Sequence, residues 1–154
     1  MKYSVVVVGG TFDLIHKGHK ALLSKAFELG EFVYVCLASD DFASRMGKSP
    51  RPYEERLRDL DAYLSKVYGK GRYRIMKLED YYGPAATDEE VEALITSKET
   101  EGRALGVHAE RRKRGLKPLD VVAIDMVLAY DGKPISTTRI KAREIDEEGR
   151  PIRG

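Results

Sequence analysis

The 154-residue sequence contains no asparagine, no glutamine and no tryptophan, and its single cysteine is Cys36. One thiol cannot form an internal disulfide, so a disulfide-stabilised fold is excluded, as is a zinc site built from several cysteines. The absence of both amides, together with a charged fraction of 34%, fits the thermophile pattern of few heat-labile residues and many ion pairs.

Long hydrophobic runs and an excess of one charge are also missing. The first apolar run, residues 3–8, is far shorter than the roughly 20 residues that a membrane span needs, and it lacks a signal-peptide cleavage region. Lysine and arginine number 27 against 25 aspartate and glutamate residues, which argues against a protein that coats nucleic acid. We therefore expect a cytoplasmic protein with neither a membrane nor a nucleic acid as its partner.

Short β-branched runs alternate with amphipathic segments along the whole chain. This pattern predicts one domain over residues 1–154 with an α/β fold, a Rossmann-like open parallel sheet of five strands with helices on both faces. The strands are expected at residues 3–8, 31–38, 73–78, 91–96 and 119–128. The first helix is expected to start near residues 16–18 and to run to residue 29, and the others at 52–67, 102–114 and 136–142. The polar segment 39–51 is expected to be a mobile loop, and residues 143–154 a charged tail on the surface.

The first group of candidate site residues follows the first strand, in the sequence GGTFDLIHKGH (residues 9–19). Two of the three histidines, His16 and His19, stand three residues apart, so that at a helix start they share one face. Gly18 leaves the backbone bare between them, and helix N-terminal N–H groups favour an anion. The alternatives are a tight turn with surface histidines, or a metal pair, which lacks a third ligand because Asp13 also suits helix capping.

The second group follows the last predicted strand. Ser136, Thr137 and Thr138 open a short helix, and their hydroxyls can donate to phosphate oxygens or cap that helix. Arg139 adds a planar guanidinium suited to phosphate, and Lys141 adds a point charge. A plain N-cap would explain the three hydroxyls alone, but in a parallel sheet this segment reaches the same edge as the histidines.

Both segments resemble signatures of one enzyme superfamily. GGTFDLIHKGH resembles the His-x-Gly-His motif of the nucleotidyltransferases, and residues 135–138 resemble their second, Ile-Ser-Ser-Thr type of motif. The resemblance implies that His16 and His19 are catalytic. It also implies that a nucleoside triphosphate is bound by Gly10, Thr11, Phe12, His16, Gly18, His19, Ser136, Thr137, Thr138 and Arg139.

Three intervening segments resemble the archaeal and eukaryotic type of phosphopantetheine adenylyltransferase: residues 38–57 with Lys48, the Ser-Lys-Glu-Thr element at 97–100, and residues 111–119. That resemblance implies conversion of ATP and 4′-phosphopantetheine into dephospho-coenzyme A and pyrophosphate, with Mg²⁺ accompanying ATP and no dedicated metal ligands. It assigns the acceptor phosphate to Thr11 and Lys48, and further nucleotide contacts to Glu99 and Arg111. The sequence departs from that family where His108 stands in place of its usual Asn and where Arg103 follows Gly102.

Several readings stay open at this level. Cytidylyltransferases of phospholipid-precursor synthesis share both signatures but carry Arg-Thr-Glu-Gly where this chain has Asp-Gly-Lys-Pro, and adenylyltransferases for flavin or nicotinamide mononucleotide are also possible. A non-catalytic nucleotide-binding module is the alternative from another class. The basic run 111–114 suits a helix C-terminus better than a nucleic-acid patch. Tyr81 and Tyr82 fit either a pantetheine pocket or loop packing, and the oligomeric state is left undetermined.

Overall fold

A computed structural model describes residues 1–152 of the chain. Its five strands form one sheet in which every pairing is parallel, in the order β3-β2-β1-β4-β5. The strands are β1 (Tyr3–Gly10), β2 (Gly30–Ala38), β3 (Tyr73–Leu78), β4 (Ala93–Ser97) and β5 (Asp120–Ile124). The predicted α/β class and the five parallel strands are confirmed.

Within residues 1–152, seven α-helices and one short 3₁₀ helix (Lys70–Arg72) connect and follow these strands. The α-helices are α1 (Lys17–Leu29), α2 (Asp40–Arg45), α3 (Tyr53–Tyr68), α4 (Pro84–Thr87), α5 (Glu101–Ala104), α6 (Val107–Lys113) and α7 (Thr137–Lys141). They cover both faces of the sheet. Val6 and Val8 of β1 pack with Leu23 of α1 and Leu60 of α3. Val7, which points the opposite way, packs in a second cluster with residues from α2, α4 and α6, as the alternation of strand side chains requires.

Three predicted boundaries were wrong. The segment expected to be a mobile loop contains α2, which is capped by Ser39 and buries Phe42. The helix expected over 102–114 is divided into α5 and α6 near Gly106, where the hydroxyl of Tyr82 leaves no room for a side chain. The last strand ends at Ile124 rather than Leu128, because the chain turns away into an antiparallel bridge between Leu128 and Pro134.

The C-terminal segment is also different from the predicted surface tail. Residues 144–152, called here the C-terminal hairpin, fold back through an antiparallel bridge between Ile145 and Pro151. Ile145 is fully buried, at 0% exposure, in a third apolar cluster with Ala129, Ile135 and Ile140. Because most residues of this segment are charged, the sequence did not indicate that Ile145 anchors it.

The strand order determines where a ligand site can form. The chain runs outward from β1 to β2 and β3, and then returns to the other side of β1 with β4 and β5. Ligands of open parallel sheets bind beyond the carboxyl ends of the strands at such a reversal, here between β1 and β4. No helix within residues 1–152 is both long and apolar enough to cross a membrane.

Candidate active site

A cleft opens at this reversal, above the carboxyl ends of β1, β4 and β5. It brings together eleven of the thirteen residues that the sequence nominated, namely Gly10, Thr11, Phe12, His16, Gly18, His19, Lys48, Glu99, Ser136, Thr137 and Thr138. Asp125, Met126 and Val127, which follow β5, complete one wall. The two signature segments, more than a hundred residues apart in sequence, therefore face a single space.

His16 and His19 hold each other in place at the start of α1. The Nδ1 atom of His16 accepts the backbone N–H groups of Gly18 at 3.0 Å and of His19 at 3.3 Å. In return, the Nδ1 atom of His19 accepts the backbone N–H of His16 at 3.3 Å. The two rings stack with centroids 3.7 Å apart. Two imidazoles thus form a capping box, an arrangement more often built from a hydroxyl and a carboxylate.

This arrangement determines the protonation of both rings. A nitrogen that accepts a hydrogen bond uses its lone pair, so the proton of each neutral ring is on Nε2. Burial lowers the pKa of His16 to about 4. Burial, and then the neighbouring His16, lower the pKa of His19 to about 3. Both rings are therefore neutral near pH 7, and each carries one N–H group.

The backbone amides of α1 contribute less than the sequence suggested. The N–H groups of Gly18 and His19 are taken by His16, and the N–H of Lys17 is donated to the carbonyl of Glu147 at 2.9 Å. The predicted anion site built from backbone N–H groups is thus occupied by the protein's own acceptors.

Phe12 and Gly18 shape the histidine pair rather than presenting polar groups. The Phe12 side chain is 1% exposed and lies against His19, with ring centroids 5.0 Å apart. Its backbone adopts φ of +47°, a strained region for a bulky residue that is concentrated at functional sites. A Cβ atom at Gly18 would lie 2.9 Å from Cε1 of His16, so only glycine leaves that ring its place.

A buried arginine that the sequence reading missed fixes the loop around Thr11. Arg56 of α3 has no exposed surface and donates to the backbone carbonyls of Thr11 and Ala38, both at 2.9 Å. It also donates to the carboxylate of Asp40 at 2.8 Å. These contacts join the ends of β1 and β2. The hydroxyl of Thr11 stays in the cleft, where the ammonium of Lys48 approaches it at 3.5 Å.

Asp13 is a second buried hub beside the cleft. Its carboxylate accepts the backbone and guanidinium N–H groups of Arg51, both at 3.1 Å, and pairs with the ammonium of Lys141. Burial alone would raise the pKa of this carboxyl, but hydrogen bonds from Lys141 and Arg51 lower it below its usual value. An ionised Asp13 therefore ties α7 to the first signature and is not a free metal ligand.

The second signature presents hydroxyls and amides to the cleft and turns its arginine away. The Ser136 hydroxyl accepts the N–H of Arg139 at 3.2 Å and so caps α7, which was one of the two roles that the sequence left open for it. Among residues 1–152, no partner is found for the backbone N–H groups of Thr137 and Thr138. The Arg139 guanidinium instead pairs with Asp131 at 2.6 Å and Glu144 at 2.8 Å, outside the cleft.

Arg111 is likewise not brought into the cleft. It is 2% exposed and donates to the carbonyls of Lys117 at 2.6 Å, Ala85 at 2.9 Å and Asp88 at 3.0 Å. The guanidinium thus stabilises the packing of α6 against α4. His108 bonds the carbonyl of Leu119 at 2.8 Å and also lies outside the cleft. Among the histidines, only the signature pair lines the site.

A mainly apolar pocket continues from the cleft on the other side of Thr11 and Lys48. Its walls include Tyr81, Tyr82 and Arg103, together with the apolar side chains of Met46, Phe42, Leu78 and Leu94. Arg103 lies over the ring of Tyr81, 4.8 Å from its centroid. The thiol of Cys36 also lines this pocket, and burial raises its pKa to about 12, so it stays protonated. A polar cleft and an apolar pocket therefore meet at the Thr11–Lys48 pair.

Known proteins are similar to this one over nearly the whole chain. Residues 7–143 match the cytidylyltransferase-like family. A phosphopantetheine adenylyltransferase of Methanothermobacter thermautotrophicus is 47% identical over 99% of this chain and 92% of its own length. Another, from Thermococcus kodakarensis, is 46% identical over 98% and 92%. A solved structure of a protein of unknown function from Archaeoglobus fulgidus superposes with a TM-score of 0.71 at 28% identity, covering 86% of this chain and 99% of the other.

The family match spans both signatures and ends just after α7, and the similarity to the two named enzymes runs the length of the chain. The chain therefore belongs to the cytidylyltransferase-like family and, within it, to the phosphopantetheine adenylyltransferases.

Proposed function

We propose that the cleft catalyses transfer of AMP from ATP to 4′-phosphopantetheine, giving dephospho-coenzyme A and pyrophosphate. The observation that carries this proposal is the meeting of a phosphate-binding cleft with an apolar pocket at Thr11 and Lys48. A nucleotide bound by itself would occupy only the polar cleft. An acceptor with a phosphate at one end and a long, weakly polar arm at the other needs both spaces.

The acceptor supplies its own nucleophile. A phosphate monoester has its second pKa near about 6, so at neutral pH it is largely dianionic and needs no general base. One of its oxygens attacks the α-phosphorus of ATP in line, the bond from that phosphorus to the bridging oxygen breaks, and pyrophosphate leaves. Lys48 and the Thr11 hydroxyl orient the attacking phosphate. No covalent enzyme intermediate is required, and the protein contributes position and charge neutralisation.

The histidine pair serves the transferred group. The two Nε2–H groups donate to the α- and β-phosphate oxygens, where negative charge grows as pyrophosphate departs. Because each Nδ1 is already engaged with the backbone, the rings do not reorient as the charge develops, and preorganised donors of this kind lower the barrier. The Ser136 hydroxyl and the amides of Thr137 and Thr138 hold the β- and γ-phosphates at the other wall.

The residues of the cleft fit Mg²⁺ bound through ATP. Among residues 1–152 no group of three or more candidate ligands converges on one point. Magnesium commonly needs only one or two carboxylates besides substrate phosphates and water. Asp125 and Glu99 are the exposed carboxylates of the cleft wall that would hold it. When bound, the ion neutralises charge on the triphosphate.

A panel of pyrophosphate-release assays tests the proposal. ATP and CTP are each paired with 4′-phosphopantetheine, with a phosphorylated alcohol, and with flavin and nicotinamide mononucleotides. We expect release only with ATP and 4′-phosphopantetheine. Dephosphorylated pantetheine is the matched control, and it should give background rates because it lacks the attacking phosphate.

Each of the other possible assay results would favour one of the alternative functions. Release with CTP and a phosphorylated alcohol would favour a cytidylyltransferase, and release with a mononucleotide would favour that acceptor. Nucleotide binding without release from any pair would leave a non-catalytic module. A cytoplasmic location stays a prediction from the sequence.

A further inference from the structure

The C-terminal hairpin reaches the first turn of the helix that carries the two histidines. The carbonyl of Glu147 accepts the backbone N–H of Lys17, the first residue of α1, at 2.9 Å. The first N–H groups of any helix lack partners within the helix. Here the hairpin satisfies the Lys17 amide, and the histidine pair satisfies the next two. The first turn of α1 is therefore completed by a segment more than a hundred residues away in sequence.

Buried contacts hold the C-terminal hairpin in a fixed place against the rest of the protein. Ile145 has 0% exposure and packs with Ala129, Ile135 and Ile140. Gly149 is buried with φ of +80°, and a Cβ atom there would lie 2.8 Å from the side chain of Ile135 and 2.9 Å from Cα of Ala129. The carbonyl of Gly149 accepts the N–H of Tyr130 at 2.8 Å.

The same hairpin thus contacts both phosphate-binding elements. Ile135 directly precedes the Ser136 cap of α7, and Ile140 lies within α7. Through Ile145 the hairpin fixes the second signature, and through Glu147 it fixes the first. The carboxylate of Asp146 stiffens the turn by accepting the N–H groups of Glu148 and Arg150, both at 2.9 Å.

We propose that the C-terminal hairpin is a positioning element of the active site, in which Glu147 and Ile145 set the placement of the His16–His19 pair relative to α7. This inference rests on the proposed adenylyl transfer for its kinetic consequence, though not for its structural one. The reciprocal histidine bonds are long, at 3.3 Å for two of the three, so the cap depends on a first turn that does not fray. Catalytic groups must be held within about 0.5 Å of their working geometry.

Gly149→Ala tests the proposal because it forces the hairpin away from Ile135 and Ala129. Gly69→Ala is the matched control, since Gly69 also has positive φ, at +87°, but has nothing within 4 Å of its Cβ position. Both positions have positive φ, and only at Gly149 would the added Cβ atom contact Ile135 and Ala129. Ile145→Val is a milder second variant that keeps the fold if Gly149→Ala does not.

Two readouts separate positioning from general destabilisation. The first is ¹⁵N NMR of the imidazole rings in the ligand-free protein, where the chain's three histidines give few signals and His108, outside the cleft, is an internal reference. We expect the Nε2–H pattern of His16 and His19 to shift towards a mixture of tautomers in Gly149→Ala, and His108 to be unchanged. The second is steady-state kinetics below the melting temperature, where we expect kcat to fall by up to about 10²-fold, with a smaller change in the acceptor KM.

Unchanged His16 and His19 signals in folded Gly149→Ala and Ile145→Val would overturn the inference. So would a loss of kcat in Gly149→Ala no larger than that in Gly69→Ala. If the wild-type protein transfers no AMP, the proposed function fails, and the NMR comparison still decides whether the hairpin positions the histidines.

Discussion

His16 and His19 each accept the backbone N–H of the other through Nδ1, across the first turn of α1. This pair of hydrogen bonds therefore has two effects, one on helix stability and one on the protonation of the rings. It caps the helix, and it leaves the single proton of each ring on Nε2, at the cleft. The consequence is a pair of neutral donors rather than a pair of cations.

The lowered pKa values predict how stability depends on pH. An unfolded histidine titrates near 6.5, whereas folding lowers the pKa of His16 to about 4 and that of His19 to about 3. Below pH 6.5 the unfolded chain therefore binds protons that the folded chain does not. Stability from these groups is fully present above pH 6.5 and falls as the pH drops towards 4.

Thermal melts between pH 4 and 8 measure this dependence. The His16→Asn/His19→Asn double variant should show a flatter curve between pH 4 and 6.5, and His108→Asn serves as the control that keeps the signature pair. A wild-type melting temperature that rises as the pH drops from 6.5 to 4.5 would contradict the assignment.

Gly18→Ala separates helix stability from catalysis. Alanine is favoured over glycine inside a helix by about 0.5–1 kcal/mol, but its Cβ would meet Cε1 of His16 at 2.9 Å. We therefore expect a folded protein whose kcat is lowered because the His16 ring is displaced. Gly102→Ala in α5 has nothing within 4 Å of the added atom, and it should leave kcat unchanged. Equal kinetics for the two variants would show that the close approach has no catalytic consequence.

Lys48→Ala should weaken use of the acceptor more than use of ATP. The ammonium lies 3.5 Å from the Thr11 hydroxyl, where the cleft meets the apolar pocket. Initial rates with each substrate varied in turn should show a raised KM for 4′-phosphopantetheine and a nearly constant KM for ATP. Lys70→Ala, on an exposed turn before β3, is the control. Unchanged acceptor kinetics would remove Lys48 from the site.

Arg111→Met should destabilise the fold without changing nucleotide affinity. The substitution removes the side-chain donor from three backbone carbonyls, of which only that of Asp88 is known to keep another donor, the N–H of Val91. One buried unsatisfied group costs about 1–3 kcal/mol. We expect a lower melting temperature and an unaltered ATP KM for the folded protein, with Arg112→Met as the exposed neighbour control. A raised ATP KM at unchanged stability would return Arg111 to the nucleotide site.

The sequence predicted those parts of the molecule that are local in the chain. The β-branched run of β1 and the glycine turn after it place the carboxyl end of the central strand, and the order of strands and helices predicts the sheet. Thr11, His16 and His19 lie in the cleft, because motif residues directly after parallel strands meet at one edge. Lys48, which the family resemblance indicated, also lies there.

The features that the sequence did not reveal depend on contacts distant in the chain. Arg56 reads as one of many charges on an amphipathic helix, and only the fold shows that it is wholly buried against two strand ends. Arg139 follows a phosphate-binding motif, yet Asp131 and Glu144 engage it. Ile145 is one of two isoleucines in a charged segment, and no periodicity can identify it as an anchor.

The absence of asparagine and glutamine gains a structural meaning here. The helix cap at His16 and the proposed phosphate donors are imidazoles, hydroxyls and backbone groups, which include no side-chain amide. Introducing one amide therefore gives a test, because asparagine at the N-cap keeps a capping acceptor, while its shorter side chain holds its amide N–H groups nearer the backbone than Nε2–H of histidine.

The most direct test of the account is kcat for AMP transfer by His16→Asn, measured beside its melting temperature and beside His16→Ala. We expect the asparagine variant to keep the wild-type melting temperature more nearly than the alanine variant does, since it retains the cap, while both lose roughly 10²–10³-fold in kcat. A His16→Asn enzyme with near wild-type kcat would contradict the claim that the Nε2–H group stabilises the transferred phosphate.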